Sequence, residues 1–155
     1  MKIIFFDIDG VLNTDRQIRI NNLYQIEGIK FDQEAMENLK KIIEKTKARI
    51  VITSTWRIHR RENGYLWSEL IRNFQVCDIN TEVIIDITPI IDTNMKLEAR
   101  ELEISKWLST NRNVEKFVIL DDHWSMGELN NHFLRCLPFN GITNKIVEEV
   151  IKKLN

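Results

Sequence analysis

The stretch KIIFFDIDGVLN, residues 2–13, decides the fold. After Lys2 the chain is continuously apolar to Phe6 and rich in aromatic and β-branched side chains, which is typical of a strand buried on both faces at the centre of a parallel sheet. Asp7 and Asp9 follow this run directly, and Gly10 allows the backbone to turn sharply. We therefore expect two carboxylates at the carboxyl end of a central strand.

Strand and helix patterns alternate along the rest of the chain. Apolar residues at helical spacing predict four helices, over residues 33–45, 65–74, 97–108 and 144–154. Apolar runs predict three further strands, over residues 49–52, 82–87 and 116–120, and a last apolar stretch covers 133–139. Asp32 and Thr143 are the expected N-caps of the first and last helices. This alternation predicts an α/β fold: a doubly wound, mostly parallel three-layer sandwich with right-handed crossovers.

The 155 residues are expected to form one domain, 1–155, with a core of its own. Residues 13–30 mix polar side chains with an alternation of Ile18 and Ile20, which predicts a short hairpin or flap over the end of the first strand. Most of residues 56–96 is needed for a helix and a strand of the core. The site is therefore expected to be capless, or covered by this flap alone, and open to large substrates.

Composition excludes some function classes. A net charge of −1 and a pI near 6.3 give no general attraction to nucleic acid or to an anionic membrane, so any such partner must be held by a local patch. The first apolar run is too short for a signal peptide or a membrane span. Cys77 and Cys136 are expected to be reduced core thiols. We expect a cytoplasmic protein without a membrane partner, and its oligomeric state is open.

Three of the predicted strands end in polar residues suited to handling phosphate, and these are Asp7 with Asp9, Thr53 with Ser54, and Asp121 with Asp122. The carboxyl ends of parallel strands meet at one edge of a sheet, so these side chains should converge. Four carboxylates at one site repel one another unless a cation neutralises them. Hard oxygen ligands favour Mg²⁺, which we expect as the cofactor.

Five stretches of the sequence carry a resemblance to a known family. Asp-Ile-Asp-Gly at 7–10, after a buried strand, resembles the first motif of the haloacid dehalogenase-like (HAD) superfamily. More narrowly, ITSTWR at 52–57, the stretch 100–108, VILDDHW at 118–124 and Gly-Ile-Thr at 141–143 resemble the HAD domain of Swiss Army Knife RNA repair proteins. The resemblance spans nearly the whole chain and implies an HAD-like Rossmannoid fold and phosphatase activity.

The resemblance implies a role for each of the strand-end residues. Asp7 would attack phosphorus to give an aspartyl-phosphate, and Asp9 would protonate the leaving oxygen and then activate water. Thr53 would hydrogen-bond a phosphoryl oxygen, with Ser54 as a competitor for that role. Gly10 would let the backbone approach the phosphate.

The resemblance also implies a cation and a metal site. Arg100 matches the residue that steadies the aspartyl-phosphate, with Lys96 as its rival. The implied metal ligands are the Asp7 carboxylate, the Asp9 main-chain carbonyl and Asp122, with Asp121 acting directly or through water. Which of the two adjacent aspartates contacts the metal is open.

One basic cluster is interleaved with aromatic residues, and it comprises residues 57–61 together with Trp56, Tyr65 and Trp67. Arg57, the first of its cations, is a candidate for substrate binding, and the cluster as a whole could grip a nucleic-acid backbone and stack a base. His123 and Trp124, beside the predicted metal aspartates, are open between substrate contact and a structural role.

The function expected from these features is a phosphatase that acts on phosphorylated RNA or DNA ends. A phosphatase of a small metabolite or phosphoprotein is the closest alternative, and a metal-dependent nuclease is a further one. From another class, a non-catalytic or phosphoacceptor regulatory domain remains open.

Overall fold

The structure, a computed structural model, describes residues 1–60, 62–91 and 99–155. Its centre is a five-stranded sheet in which all neighbouring strands run parallel. In chain order the strands are β1 (Lys2–Phe6), β2 (Arg49–Ile52), β3 (Ile84–Ile87), β4 (Lys116–Asp121) and β5 (Phe133–Arg135). Their order in the sheet is β3-β2-β1-β4-β5, so the first apolar run of the sequence is the central strand.

Five α-helices connect or follow the strands, and these are α1 (Asp15–Leu23), α2 (Gln33–Thr46), α3 (Tyr65–Val76), α4 (Ala99–Thr110) and α5 (Asn144–Leu154). Three short 3₁₀ helices cover Thr55–His59, Thr81–Val83 and Gly127–His132. The predicted caps form, because the Asp32 carboxylate accepts the Ala35 N–H at 3.2 Å and the Thr143 hydroxyl accepts the Ile146 N–H at 3.4 Å. Among the described residues, no helix is both long and apolar enough to cross a lipid bilayer.

The two faces of the sheet bury different helices. Side chains that alternate along β1, β2 and β4 separate into two hydrophobic clusters, as the period of two in a strand requires. One cluster joins Ile4 and Phe6 to α2, α3 and α5, and the other joins Phe5 to α4, whose Trp107 meets the Phe5 ring edge-on at 5.3 Å between centroids. This three-layer arrangement confirms the predicted doubly wound α/β fold.

The site follows from the order of the strands. From β1 the chain moves outward through β2 to β3 on one side, and then returns to β4 and β5 on the other. The carboxyl ends of β1 and β4 therefore flank the point where the direction of winding reverses. In open α/β sheets, ligands bind in the crevice at this point.

The predicted hairpin within residues 13–30 is wrong, because this segment contains helix α1. Both edges of β1 are already paired, with β2 and with β4, so no free strand edge is available there. The Thr14 hydroxyl instead accepts the Gln17 N–H at 3.1 Å and starts a helix. The predicted role of this segment as a flap is a separate matter and stays a prediction. Leu97, which marked the start of the fourth predicted helix, lies outside the described residues.

Candidate active site

The turn after β1 brings distant carboxylates together. Asp7 extends the sheet by donating its N–H to the Leu120 carbonyl at 3.0 Å. Gly10 then adopts φ +77°, and a Cβ at this position would lie 2.5 Å from Oδ2 of Asp122. Only glycine combines this left-handed backbone with so close an approach. The local sequence Asp-x-Asp-Gly thus allows the end of β4 to pack directly on the turn.

Four side chains form an acidic cluster at the ends of β1 and β4, and they are Asp7, Asp121, Asp122 and His123. Each offers one ligand atom, and all these atoms lie within 4.8 Å of one another. Arg100, from the first turn of α4, forms an ion pair with Asp121 and places its Nη1 3.5 Å from Oδ1 of Asp7. Three of the predicted metal residues and the predicted phosphate-steadying cation therefore meet at one place.

The charges within the acidic cluster are not balanced. Burial, together with the charge of Asp121, raises the pKa of Asp7 to about 7. Burial and the same neighbour also raise the pKa of Asp122. The pKa of Asp121 shifts the other way. Burial alone would raise it, but the hydrogen bond with His123 and the charge of Arg100 hold it below the usual range. The three carboxylates of the cluster thus carry more negative charge than Arg100 and His123 neutralise.

The hydrogen bond to Asp121 raises the pKa of the His123 imidazole, so this ring is a partial counter-ion for the cluster. Its side chain is 40% exposed, and its Nδ1 lies 3.7 Å from Oδ1 of Asp122. The sequence left His123 open between contact with substrate and a structural role. In the structure it belongs to the acidic cluster itself.

The donor set fits a divalent cation. Asp7, Asp121 and Asp122 offer hard carboxylate oxygens, which Mg²⁺ prefers. The raised pKa values of Asp7 and Asp122 mark the electrostatic cost of gathering these groups without a further positive charge. The Asp9 carboxylate lies outside this cluster, and the predicted part of its main-chain carbonyl in metal binding stays a prediction.

Asp9 is exposed and is held by two donors. Asn13 Nδ2 donates to one of its carboxylate oxygens at 2.9 Å, and Trp56 Nε1 donates to the other at 3.2 Å. Trp56 itself is buried, so the indole orients the carboxylate from within the fold. No local sequence pattern predicts this contact, because Trp56 and Asp9 are 47 positions apart.

Thr53 and Ser54 use their hydroxyls differently. Thr53 continues the sheet by donating its N–H to the Phe6 carbonyl at 3.0 Å, but its fully buried Oγ1 has no hydrogen-bond partner among the described residues. The Ser54 hydroxyl accepts the Trp56 N–H at 3.3 Å and caps the following 3₁₀ helix. Because buried polar atoms are normally paired, the Thr53 hydroxyl is a candidate for a ligand contact, but the Ser54 hydroxyl also donates to no described residue, so the choice between the two stays a prediction.

Arg57 is not brought to the acidic cluster as a ligand-binding group. Its guanidinium forms an ion pair with Glu103 and also donates to the main-chain carbonyls of Thr53, Ser54 and Thr88. The side chain is only 4% exposed. The sequence predicts substrate contact for Arg57, whereas in the structure its buried guanidinium holds the loop after β2 through these carbonyls.

The rest of the predicted basic and aromatic cluster is also divided. Trp56 and Trp67 are core residues, whereas Tyr65 is exposed. Arg61, another member of this basic and aromatic cluster, lies outside the described residues. Lys96, the rival of Arg100 as the phosphate-steadying cation, also lies outside them. The described part of this cluster therefore leaves a single exposed aromatic ring for stacking.

Comparison with known proteins gives one match. A family model described as the HAD domain in Swiss Army Knife RNA repair proteins matches residues 3–147. The match includes β2 to β5, all of β1 except Lys2, and every residue of the acidic cluster. No significant match to a curated protein or to a solved structure was found.

Proposed function

We propose that this chain, which belongs to the family of HAD domains in Swiss Army Knife RNA repair proteins, is a magnesium-dependent phosphomonoester hydrolase. Membership in an HAD family indicates phosphatase chemistry. The observation that carries the finer proposal is the set of groups around Asp7: the buried carboxylate faces Arg100 at 3.5 Å, and the unpaired hydroxyl of Thr53 ends the neighbouring strand.

The proposed reaction has two steps. A carboxylate oxygen of Asp7 attacks phosphorus, the bond between phosphorus and the ester oxygen breaks, and the leaving oxygen takes a proton from Asp9. Water then attacks the aspartyl-phosphate and gives its proton to Asp9, which releases inorganic phosphate and restores Asp7. The two donors on Asp9, from Asn13 and Trp56, keep this carboxylate oriented in both steps.

The other residues stabilise charge on the phosphoryl group. Arg100 offers a cation beside the attacking oxygen, and Thr53 offers a hydroxyl donor. Asp7, Asp121 and Asp122 would hold Mg²⁺, whose charge neutralises the clustered carboxylates and the phosphoryl oxygens. A cation there also favours the ionised form of Asp7, which is the form that attacks.

The proposed substrate is the phosphorylated end of an RNA or a DNA. The description of the family supports it, since it names RNA repair. The fold also supports it, because β2, β3 and the helices between them occupy the stretch where a cap that recognises substrate could be inserted. A site without a cap there would be open, and the end of a polymer needs an open site.

Phosphate release from an aryl phosphate tests the reaction. With Mg²⁺ the parent should release phosphate, and chelator should stop it. Asp7→Asn should lower the rate at least about 10³-fold, since it removes the nucleophile. Asp15→Asn, at an exposed aspartate in the first turn of α1, is the matched control. Equal release by the parent and Asp7→Asn would overturn the mechanism, and a stable phosphorylated protein without turnover would favour a phosphoacceptor domain.

A substrate panel tests the second half of the proposal. It contains RNA and DNA oligomers with a 3′- or 5′-phosphate, small phosphomonoesters and a phosphopeptide. At least one class of oligomer should have the highest kcat/KM. A protein that prefers the small esters or the phosphopeptide would overturn the proposal of nucleic-acid ends and leave the hydrolysis itself standing.

A further inference from the structure

Trp124 is more exposed than any other large apolar side chain that the structure describes. Its exposed fraction is 85%, whereas the three other tryptophans, Trp56, Trp67 and Trp107, are buried. Trp124 lies two positions after Asp122 and is adjacent to His123, both members of the acidic cluster. An indole exposed to water at this place contributes nothing to the core, so its position needs another explanation.

The guanidinium of Arg135 stacks on the Trp124 ring. The guanidinium carbon lies 3.9 Å from the ring centroid, and Arg135 Nε donates to the main-chain carbonyl of Asp122 at 3.3 Å. In the described part of the chain, no carboxylate lies within ion-pair distance of Arg135. One face of the indole is therefore covered by a cation, and the exposure of the side chain leaves the other face open.

A second pair of the same kind lies on the next loop. Arg19 of α1 lies 5.7 Å from the ring centroid of Phe139, which is also exposed. This loop is attached to the turn that follows Asp9 and Gly10, because the Pro138 carbonyl accepts the Asp15 N–H at 2.9 Å. Both pairs of an arginine and an aromatic ring are thus connected to the chain segments that carry the acidic cluster.

These features match what a single-stranded nucleic acid requires. A base stacks on an aromatic or guanidinium plane whatever its identity, and a nearby cation attracts the phosphodiester backbone. An indole already held by a guanidinium has little rotamer freedom left to lose when a base stacks on it. A net charge of −1 excludes general attraction, so a local arrangement of this kind has to supply the contact.

We propose that Trp124 and Arg135 form a stacking platform for the nucleobase next to the phosphate that the enzyme removes, with the base on the open face of the indole. The proposal rests on the proposed function, since it assumes that the phosphate is bound at Asp7. It assigns recognition of the nucleic acid to the surface after β4 and β5, and not to the cluster between Trp56 and Trp67.

The first test is the ratio of kcat/KM for a phosphorylated hexanucleotide to that for an aryl phosphate. Trp124→Ala should lower this ratio about 5- to 100-fold through KM, the range that stacking of one base gives. Trp124→Phe should restore most of it. Tyr65→Ala removes the exposed ring of the rival cluster and should leave the ratio within about twofold of the parent. A Tyr65→Ala effect with no Trp124→Ala effect would overturn the proposal.

The second test does not depend on hydrolysis. Anisotropy of a fluorescein-labelled hexanucleotide, carrying either a 3′- or a 5′-phosphate, gives its Kd for Asp7→Asn and for the same variant with Trp124→Ala added. The second substitution should raise Kd about 5- to 100-fold for the intact oligomer. It should have little effect when the terminal nucleotide is abasic, because no base is then present to stack.

The two tests separate the two proposals. Hydrolysis of aryl phosphate together with an unchanged Kd after Trp124→Ala would overturn the platform and leave the phosphatase standing. No hydrolysis of any phosphomonoester, together with a base-dependent change in Kd, would overturn the phosphatase and support the platform as a nucleic-acid site. An equal loss of affinity for intact and abasic oligomers would show that Trp124 does not stack a base, and would also overturn the platform.

Discussion

Two groups of charged side chains lie at the carboxyl ends of the strands, and their charges are balanced differently. In the first, Arg57 forms an ion pair with Glu103, and three main-chain carbonyls accept further N–H groups of its guanidinium. In the second, the acidic cluster, three carboxylates face Arg100 and His123. In the first group the two charges neutralise each other, and both side chains are buried. We call this group the closed pair. The second lacks positive charge, and such imbalance is typical of a functional site.

The pKa values express the same contrast. Burial raises the pKa of Glu103 and lowers that of Arg57. Moving even this ion pair, whose charges cancel, out of water therefore costs free energy. In the acidic cluster burial acts in the same direction on Asp7, but the charge of Asp121 adds to it. A further cation would therefore stabilise the acidic cluster, whereas the ion pair of Arg57 and Glu103 has no excess negative charge to attract one. Substitutions at the ion pair should mainly change folding stability, and substitutions in the acidic cluster should mainly change the reaction rate.

The largest effect on folding is expected at the closed pair. Glu103→Ala leaves the Arg57 charge buried without its partner and should lower the free energy of unfolding by about 3–5 kcal/mol, as measured by urea denaturation. The double variant Arg57→Met with Glu103→Leu replaces both charges by apolar groups of similar volume and should cost less than the single one. A double variant as unstable as Glu103→Ala would show that the loss of stability does not come from the unpaired charge of Arg57.

Arg100 should act on the reaction more than on folding. Arg100→Gln removes the cation that faces Asp7 and should lower kcat about 10²- to 10³-fold, or about 3–4 kcal/mol, with partial rescue by Arg100→Lys. The rate of phosphate release checks this. Arg112→Gln, at an exposed arginine just after α4, is the matched control. A greater loss in Lys96→Gln than in Arg100→Gln would transfer the role to Lys96.

Asp7→Asn should stabilise the protein when metal is absent. The pKa of Asp7 is raised from 3.8 to about 7, so the folded state binds a proton more tightly than the unfolded state does. The stability from this group is full below pH 4 and is lost as the pH rises through about 7. One pKa unit is about 1.4 kcal/mol, so at pH 8 the variant should gain about 1–4 kcal/mol.

Thermal unfolding in chelator at pH 5 and pH 8 measures this gain, which should be smaller at the lower pH. Millimolar Mg²⁺ should then raise the Tm of the parent more than that of Asp7→Asn, because the metal and the proton compete for the same carboxylate. An Asp7→Asn protein less stable than the parent at pH 8 in chelator would contradict an excess of negative charge in the acidic cluster.

The smallest effect on stability is expected at Thr53. Thr53→Val removes a buried hydroxyl that has no hydrogen-bond partner among the described residues, so the free energy of unfolding should stay within about 0.5 kcal/mol of the parent or rise. The kcat/KM for phosphomonoesters should nevertheless fall about tenfold. Thr14→Val is the contrasting variant, because its hydroxyl bonds Asp32 and caps α1, and it should cost about 1–2 kcal/mol. A Thr53→Val protein as unstable as Thr14→Val would show that the hydroxyl is paired within the fold.

The acidic cluster was predictable because its residues sit at strand ends. Once Asp7 and Asp121 are read as the ends of two parallel strands, the topology alone brings them to one edge. The contacts of Arg57 and Trp56 were not predictable in this way. Both residues belong to a short 3₁₀ helix, and the partners of their side chains, Glu103 and Asp9, are 46 and 47 positions away.

The sequence by itself determined the central strand, the caps at Asp32 and Thr143 and the glycine turn, because these depend on the backbone preferences of a few neighbouring residues. Tertiary structure decided which side chains are covered. It buried Arg57 against Glu103 of α4, placed the Trp56 indole against Asp9, and left Trp124 exposed beside the acidic cluster. The burial of a side chain depends on residues that are distant in the sequence, so a local sequence pattern does not predict it.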